Sequence, residues 1–115
     1  MKIQELADLG ALRLINDGGN GETEISGIFC CDLLSHAMGF APADGVWITV
    51  MNNINTLAVA SLTECGAIVL ACGMPAEESF VKKAEQQDIT IYACEEPIFE
   101  TALMIHEQMK KEQNV

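Results

Sequence analysis

Two apolar runs constrain this chain more than anything else in it: Val46-Trp47-Ile48-Thr49-Val50 and Ala67-Ile68-Val69-Leu70-Ala71, separated by one segment of helical spacing. Neither run has a polar face. Strands that are apolar on both sides are covered on both sides, as in a parallel sheet layered between helices. In residues 55–65, Leu57, Ala58, Ser61, Leu62 and Cys65 are expected to share the buried face, with Gly66 as a left-handed stop. Strand, crossover helix and strand together predict a right-handed βαβ unit.

The flanking residues extend this unit in both directions. Residues 2–9 read as a short helix ended by Gly10, and residues 11–15 as a strand with Leu12 and Leu14 opposite Arg13. Residues 16–21 hold three glycines, but no Lys-Ser/Thr pair and no helix follow, so they read as a surface turn and not a phosphate cradle. Residues 24–31 read as a strand in which Gly27 marks a bulge or a close backbone approach. Asp32 is expected to cap a helix over 33–38 that ends at Gly39. Pro75 is placed at the first position of a further helix, with Glu77 and Glu78 early and Lys82 and Lys83 late, as the helix dipole prefers. The alternation in 89–93 predicts a strand near the sheet edge. Pro97 opens a last helix striped by Ile98, Ala102, Ile105 and Met109. The fold class is therefore α/β: a single three-layer domain over residues 1–115, with a mostly parallel sheet of about five strands and helices on both faces.

Charge narrows the function. Seventeen acids against six bases give a net charge of −11. A nucleic-acid binder needs a basic surface to neutralise phosphates, and an anionic membrane asks for the same, so neither is an expected partner. No run approaches the roughly 18 apolar residues of a membrane span. The first residues lack the apolar stretch of a signal peptide. The five cysteines are unevenly spaced and read as reduced cytoplasmic thiols.

In open α/β sheets, ligands bind beyond the C-terminal ends of the strands. Two residue sets fall there. Asn52, Asn53 and Asn55 follow one central run, and Cys72, Gly73 and Met74 follow the other. Backbone N–H groups there would receive an anion and the asparagine amides would orient it, although capping by Asn53 or Asn55 is also served by the same residues. The second set is Cys31, Cys72 and Cys94, each at a strand end, which offers soft metal or redox chemistry if the strands bring the thiols together. Asp32, Ser35 and His36 point in different directions on one short helix and make no local triad. His106 is expected as a packed ring in the last helix. No cofactor motif and no catalytic set are legible, so the chain is not read as an enzyme.

The order Ile25-Ser26-Gly27, Asp32-Leu33-Leu34-Ser35, Val46-Trp47-Ile48-Thr49, Asn55 with Ala58-Val59-Ala60, Leu70-Ala71-Cys72-Gly73-Met74-Pro75 and Phe99-Glu100-Thr101-Ala102 resembles the DRTGG domain family. The resemblance runs from about residue 10 to 105. It implies an accessory α/β module of the kind found in CBS-containing inorganic pyrophosphatases and long phosphotransacetylases, similar in fold to the N-terminal domain of HPr kinase/phosphorylase. It also implies a regulatory or ligand-sensing role and self-association as a homodimer. The chain departs from the family where the name originates, with Asn52-Asn53 at the Asp-Arg position and Ala71-Cys72-Gly73 in place of Thr-Gly-Gly. The kinase names given to stand-alone members do not fit, since no P-loop follows any strand. The reading is a regulatory module binding a small anionic ligand or a partner protein, with Phe40, Trp47 or the Met104 side of the last helix supplying a dimer patch.

Overall fold

The computed structural model describes residues 1–113. A 3₁₀ helix, Ile3–Leu9, is followed by β1 (Arg13–Asn16), β2 (Ile28–Cys30), α1 (Leu34–Phe40), β3 (Val46–Thr49), α2 (Ile54–Leu62), β4 (Ala67–Leu70), α3 (Glu78–Gln86), β5 (Ile91–Ala93) and α4 (Ile98–Gln113). The five strands form one sheet in the order β1-β5-β4-β3-β2. Strands β2 to β5 run parallel, and β1 closes one side antiparallel to β5. The two apolar runs are central neighbours, with Val46 opposite Ala67 and Thr49 opposite Leu70.

The alternation of side chains along these strands divides the core in two. Val46, Ile48, Ala67, Val69 and Tyr92 face the 3₁₀ helix and α4, where Ile3, Leu6 and Ile105 meet them. Trp47, Ile68, Leu70, Ile91 and Ala93 face the other way, onto Leu57, Ala60, Phe80 and Ala84 of α2 and α3. Helices α1, α2 and α3 thus cover one face. Helix α4 crosses back over the opposite face to β2 and β3. Each large aliphatic side chain buried this way contributes about 1.5–3 kcal/mol.

Several local expectations are corrected. Helix α2 turns Thr56, Leu57, Val59 and Ala60 inward and leaves Ala58, Ser61 and Leu62 in solvent. Residues 57–60 are apolar all round, so their sequence cannot specify the face. Glu64, not Gly66, takes the left-handed conformation. Gly66 is needed because a Cβ there would lie 2.9 Å from the Asp44 carbonyl oxygen. Strand β2 is shorter than expected, and a Cβ at Gly27 would meet nothing within 4 Å. Helix α1 begins after Leu33 without a side-chain cap and contains Gly39. Helix α3 begins at Glu78, so Pro75 lies in the loop before it, while the Glu78–Lys82 pair forms at 3.4 Å. Leu14 is exposed where β1 shifts register. Trp47 is buried and donates from Nε1 to the Cys31 carbonyl oxygen at 2.9 Å, which removes it from any surface patch. Strand β5 lies near the edge as expected, one strand in, with Thr90 and Tyr92 both buried.

Candidate functional site

The parallel strands end together, and the loops beyond them are tied to one another step by step. At β2, the Asp32 carboxylate is not a helix cap. It accepts from Thr49 Oγ1 at 2.6 Å and from the Val50 N–H at 3.1 Å, fastening the β2–α1 loop to the end of β3. Charge on the acceptor makes these bonds stronger than neutral ones. At β3, Asn52 Nδ2 donates to the Pro75 carbonyl oxygen at 2.7 Å, crossing to the β4–α3 loop. At β4, the Cys72 N–H donates to Glu96 O at 2.8 Å and the Gly73 N–H to Cys94 O at 2.9 Å, crossing to the β5–α4 loop.

The turn after β4 is tight. Cys72 and Gly73 both have positive φ, and the Met74 N–H closes the turn onto Ala71 O at 3.2 Å. Two consecutive left-handed residues suit glycine at both positions, and here a cysteine occupies the first. The Glu95 side chain lies over Gly73, where a Cβ would strike its carboxylate. The amides of Cys72, Gly73 and Met74, expected to face a ligand, are therefore all bonded within the chain.

The start of α2 is different. Asn53 is its N-cap, with Oδ1 accepting from the Asn55 N–H at 2.9 Å. The Thr56 N–H donates to Asn53 O. Among the described residues, none accepts from the backbone N–H groups of Asn52, Asn53 and Ile54. These donors sit at the positive end of the helix. In the same first turn, the Thr56 hydroxyl is wholly buried and has no hydrogen-bond partner among the described residues. Sequence reasoning named the asparagines but missed Thr56, since a threonine inside an apolar run looks like filler.

The thiols do not converge. Strands β2 and β5 are three sheet positions apart, roughly 14 Å at about 4.8 Å per step. Cys31 lies against the α1–α3 face, whereas Cys94 is buried on the α4 face with Thr101 Oγ1 3.2 Å from its sulfur. Cys72 is exposed. Among the described residues, no three His, Cys, Asp or Glu side chains are grouped to hold a metal ion. His106 is exposed instead of packed, and His36 stacks between Phe29 and Phe40 on the surface side of α1.

A separate cavity of about 320 Å³ opens at the other end of the strands, lined by Ile3, Gln4, Leu14, Asp17, Glu22 and Tyr92 among others. Its polar groups are mostly spent. Tyr92 Oη donates to Ile3 O, the Gly18 N–H to Thr90 Oγ1, and the Gly19 N–H to Asp17 Oδ1. Burial raises the Tyr92 hydroxyl above its usual pKa, helped by the nearby Asp17 charge. Hydrogen bonds from Lys2 and Gln4 lower that of the Glu22 carboxyl. Two carboxylates on the wall make this cavity unsuited to an anion.

No family model matches the chain, and no curated protein matches it. Among solved structures, the chain is similar to the crystal structure of the CBS and DRTGG domains of the regulatory region of Clostridium perfringens pyrophosphatase complexed with activator, diadenosine tetraphosphate. The TM-score is 0.71 at 11% sequence identity, over 90% of this chain and 45% of that one. The likeness is one of fold. It agrees with the α/β architecture anticipated from the DRTGG resemblance, and at this identity it does not extend to family membership. The chain spans less than half the length of that regulatory region. Among the described residues, no helix is long and apolar enough to cross a membrane.

Proposed function

We propose that the chain is a non-catalytic regulatory domain of DRTGG type, cytoplasmic and homodimeric, that senses a small anionic ligand at the C-terminal ends of its parallel strands. The observation that carries this reading is the run of three unpartnered backbone N–H groups, Asn52, Asn53 and Ile54, where α2 begins beyond β3. Such a run favours a phosphate or carboxylate through both its donors and the helix dipole. The N–H groups of Asn52, Asn53 and Ile54 supply the free donors on one side, beside Asn55, whose N–H is taken by Asn53. Cys72, Gly73 and Met74 are taken as the opposite side, held by their own bonds and tied to the donor side through the Asn52–Pro75 bond.

The fold likeness to a regulatory region that binds diadenosine tetraphosphate makes a nucleotide the first ligand to try. A thermal-shift series with diadenosine tetraphosphate, ATP and acetyl phosphate, each with and without Mg²⁺, tests the reading. A ligand that binds only the folded chain raises Tm with concentration. The expected result is a rise for at least one of the three that is abolished in Asn53→Asp, which keeps the cap oxygen and adds a repelling charge. No rise with any of them up to millimolar concentration, or a rise that survives Asn53→Asp, overturns the assignment.

A further inference from the structure

The two sides of the sheet are finished differently. Strand β1 carries Arg13 and a register shift between Leu14 and Asn16, both of which discourage a further strand from pairing. Strand β2, at the opposite edge, carries Ile28, Phe29 and Cys30, with no charge. In residues 25–43 the only charged side chain is Asp32, and its carboxylate is engaged by Thr49 and Val50. On a chain of net charge −11, this is a neutral window.

Exposed apolar side chains flank β2 on both layers, with Glu100 and Glu107 beside them on α4. Phe40 is 69% exposed, Leu33 61% and Met38 47% on the α1 side, and Phe99 is 69% and Leu103 40% exposed on the α4 side. A groove of about 250 Å³, lined by Ile28, Phe99, Ala102, Leu103 and His106, joins α4 to the strand edge. The two phenylalanines alone leave about 300 Å² of apolar surface in water, from ~200 Å² per aromatic side chain. With the leucines and methionine, the total is roughly 550 Å², at the upper end of what a monomer's largest patch exposes. That is about two-thirds of the ~800 Å² per partner of a standard interface, before the exposed edge of β2 itself is counted.

The backbone adds a register. Gly27 O accepts from the Val46 N–H and the Cys31 N–H donates to Ile48 O, so alternate residues of this segment face β3. In a parallel ladder, Phe29 then also bonds inward, while the N–H and C=O groups of Ile28 and Cys30 point outward. Two outward residues, symmetric about Phe29, are self-complementary under a two-fold axis perpendicular to the sheet. Ile28 would exchange both bonds with Cys30 of the second copy, and Phe29 would face its own counterpart. The same axis sets α1 against α1 and α4 against α4.

We propose that β2 is the dimerisation edge, occupied by β2 of a second copy of this chain in antiparallel register centred on Phe29. This specifies the interface of the homodimer proposed above and is independent of the ligand. A neutral apolar contact between two like-charged bodies tightens as salt screens their repulsion, whereas an ion-paired contact loosens. Analytical ultracentrifugation and amide hydrogen exchange on the whole chain test it together. The expected result is a dimer whose dissociation constant falls with added NaCl. The Ile28 and Cys30 amides should be protected in it, and lose protection on dilution into monomer. Phe99→Asp should weaken the dimer at least tenfold, and Leu14→Asp on β1 should leave it unchanged. Circular dichroism confirms that each variant folds. A monomer at all concentrations overturns both the dimer and this interface. A dimer with freely exchanging Ile28 and Cys30 amides, or one indifferent to Phe99→Asp, overturns the interface alone.

Discussion

The two ends of the parallel strands are built on opposite principles. At the N-terminal end, residues 16–21 fold back over the sheet and use up its polar groups. Asn16 Nδ2 donates to Ile89 O at 2.8 Å and Asn20 Nδ2 to Gly66 O at 2.8 Å, while Thr90 Oγ1 accepts from the Gly18 N–H and donates to Asn20. Gly18 sits so close to the segment leading into β5 that a Cβ would be 2.5 Å from the Asp88 carbonyl oxygen. At the C-terminal end the loops are fastened to one another, but the start of α2 keeps three donors free and buries one hydroxyl without a partner. One end spends its polar groups on itself, around a cavity whose wall carries the carboxylates of Asp17 and Glu22. The other is tied loop to loop and leaves its unspent hydrogen-bonding capacity at the start of α2.

Substitutions at the two ends sharpen this contrast. Gly18→Ala forces a methyl group into backbone and is expected to cost about 2–3 kcal/mol in urea unfolding, with ligand affinity per folded molecule unchanged. A loss well under 1 kcal/mol would mean that the N-terminal end is not tightly closed. Asp32→Ala removes two charge-assisted bonds at the other end and is expected to cost about 1.5 kcal/mol. Asn53→Ala removes the cap of α2 and is expected to cost about 1 kcal/mol, with ligand-induced stabilisation falling as the first turn frays. Cys72→Gly relieves a left-handed cysteine and is expected to gain a few tenths of a kcal/mol after the entropic cost of glycine. A clear loss of stability there would show that the Cys72 side chain does more than fill a turn.

Thiol chemistry reports on the same contrast. Burial pushes the Cys65 thiol, just before β4, up to about 12, and its sulfur donates to Ala67 O at 3.2 Å. A raised thiol pKa keeps the neutral form, so Cys65 should resist iodoacetamide at pH 8 while exposed Cys72 reacts. The sign for stability follows. The folded state holds this proton more tightly than the unfolded chain, so the contribution is complete below the ordinary thiol pKa and declines as pH rises from there towards 12. Rapid labelling of Cys65, read by peptide mass, would contradict a thiol held neutral by burial.

The sequence carried the layers and the central pairing because 46–50 and 67–71 are apolar on every face, a pattern with few structural solutions. It could not orient α2, whose residues 57–60 are apolar all round, nor reveal that Asp32 reaches across to Thr49 instead of capping the helix beside it. The antiparallel direction of β1 was also illegible, since a four-residue strand after a short helix has no marker of direction. At the site, asparagine after a strand was a visible signal. The spending of the Cys72, Gly73 and Met74 amides on neighbouring loops was not, because it depends on which strands are adjacent and how tightly the loops turn.

The central claim is that an anion is received by the first turn of α2. The most direct test is an ¹⁵N–¹H titration of the chain with diadenosine tetraphosphate, following each backbone amide. Saturable shifts concentrated at Asn52, Asn53 and Ile54, with residues 16–21 unmoved, are the expected result. Saturable shifts confined to residues 16–21, or none at any amide up to millimolar nucleotide, would contradict the account.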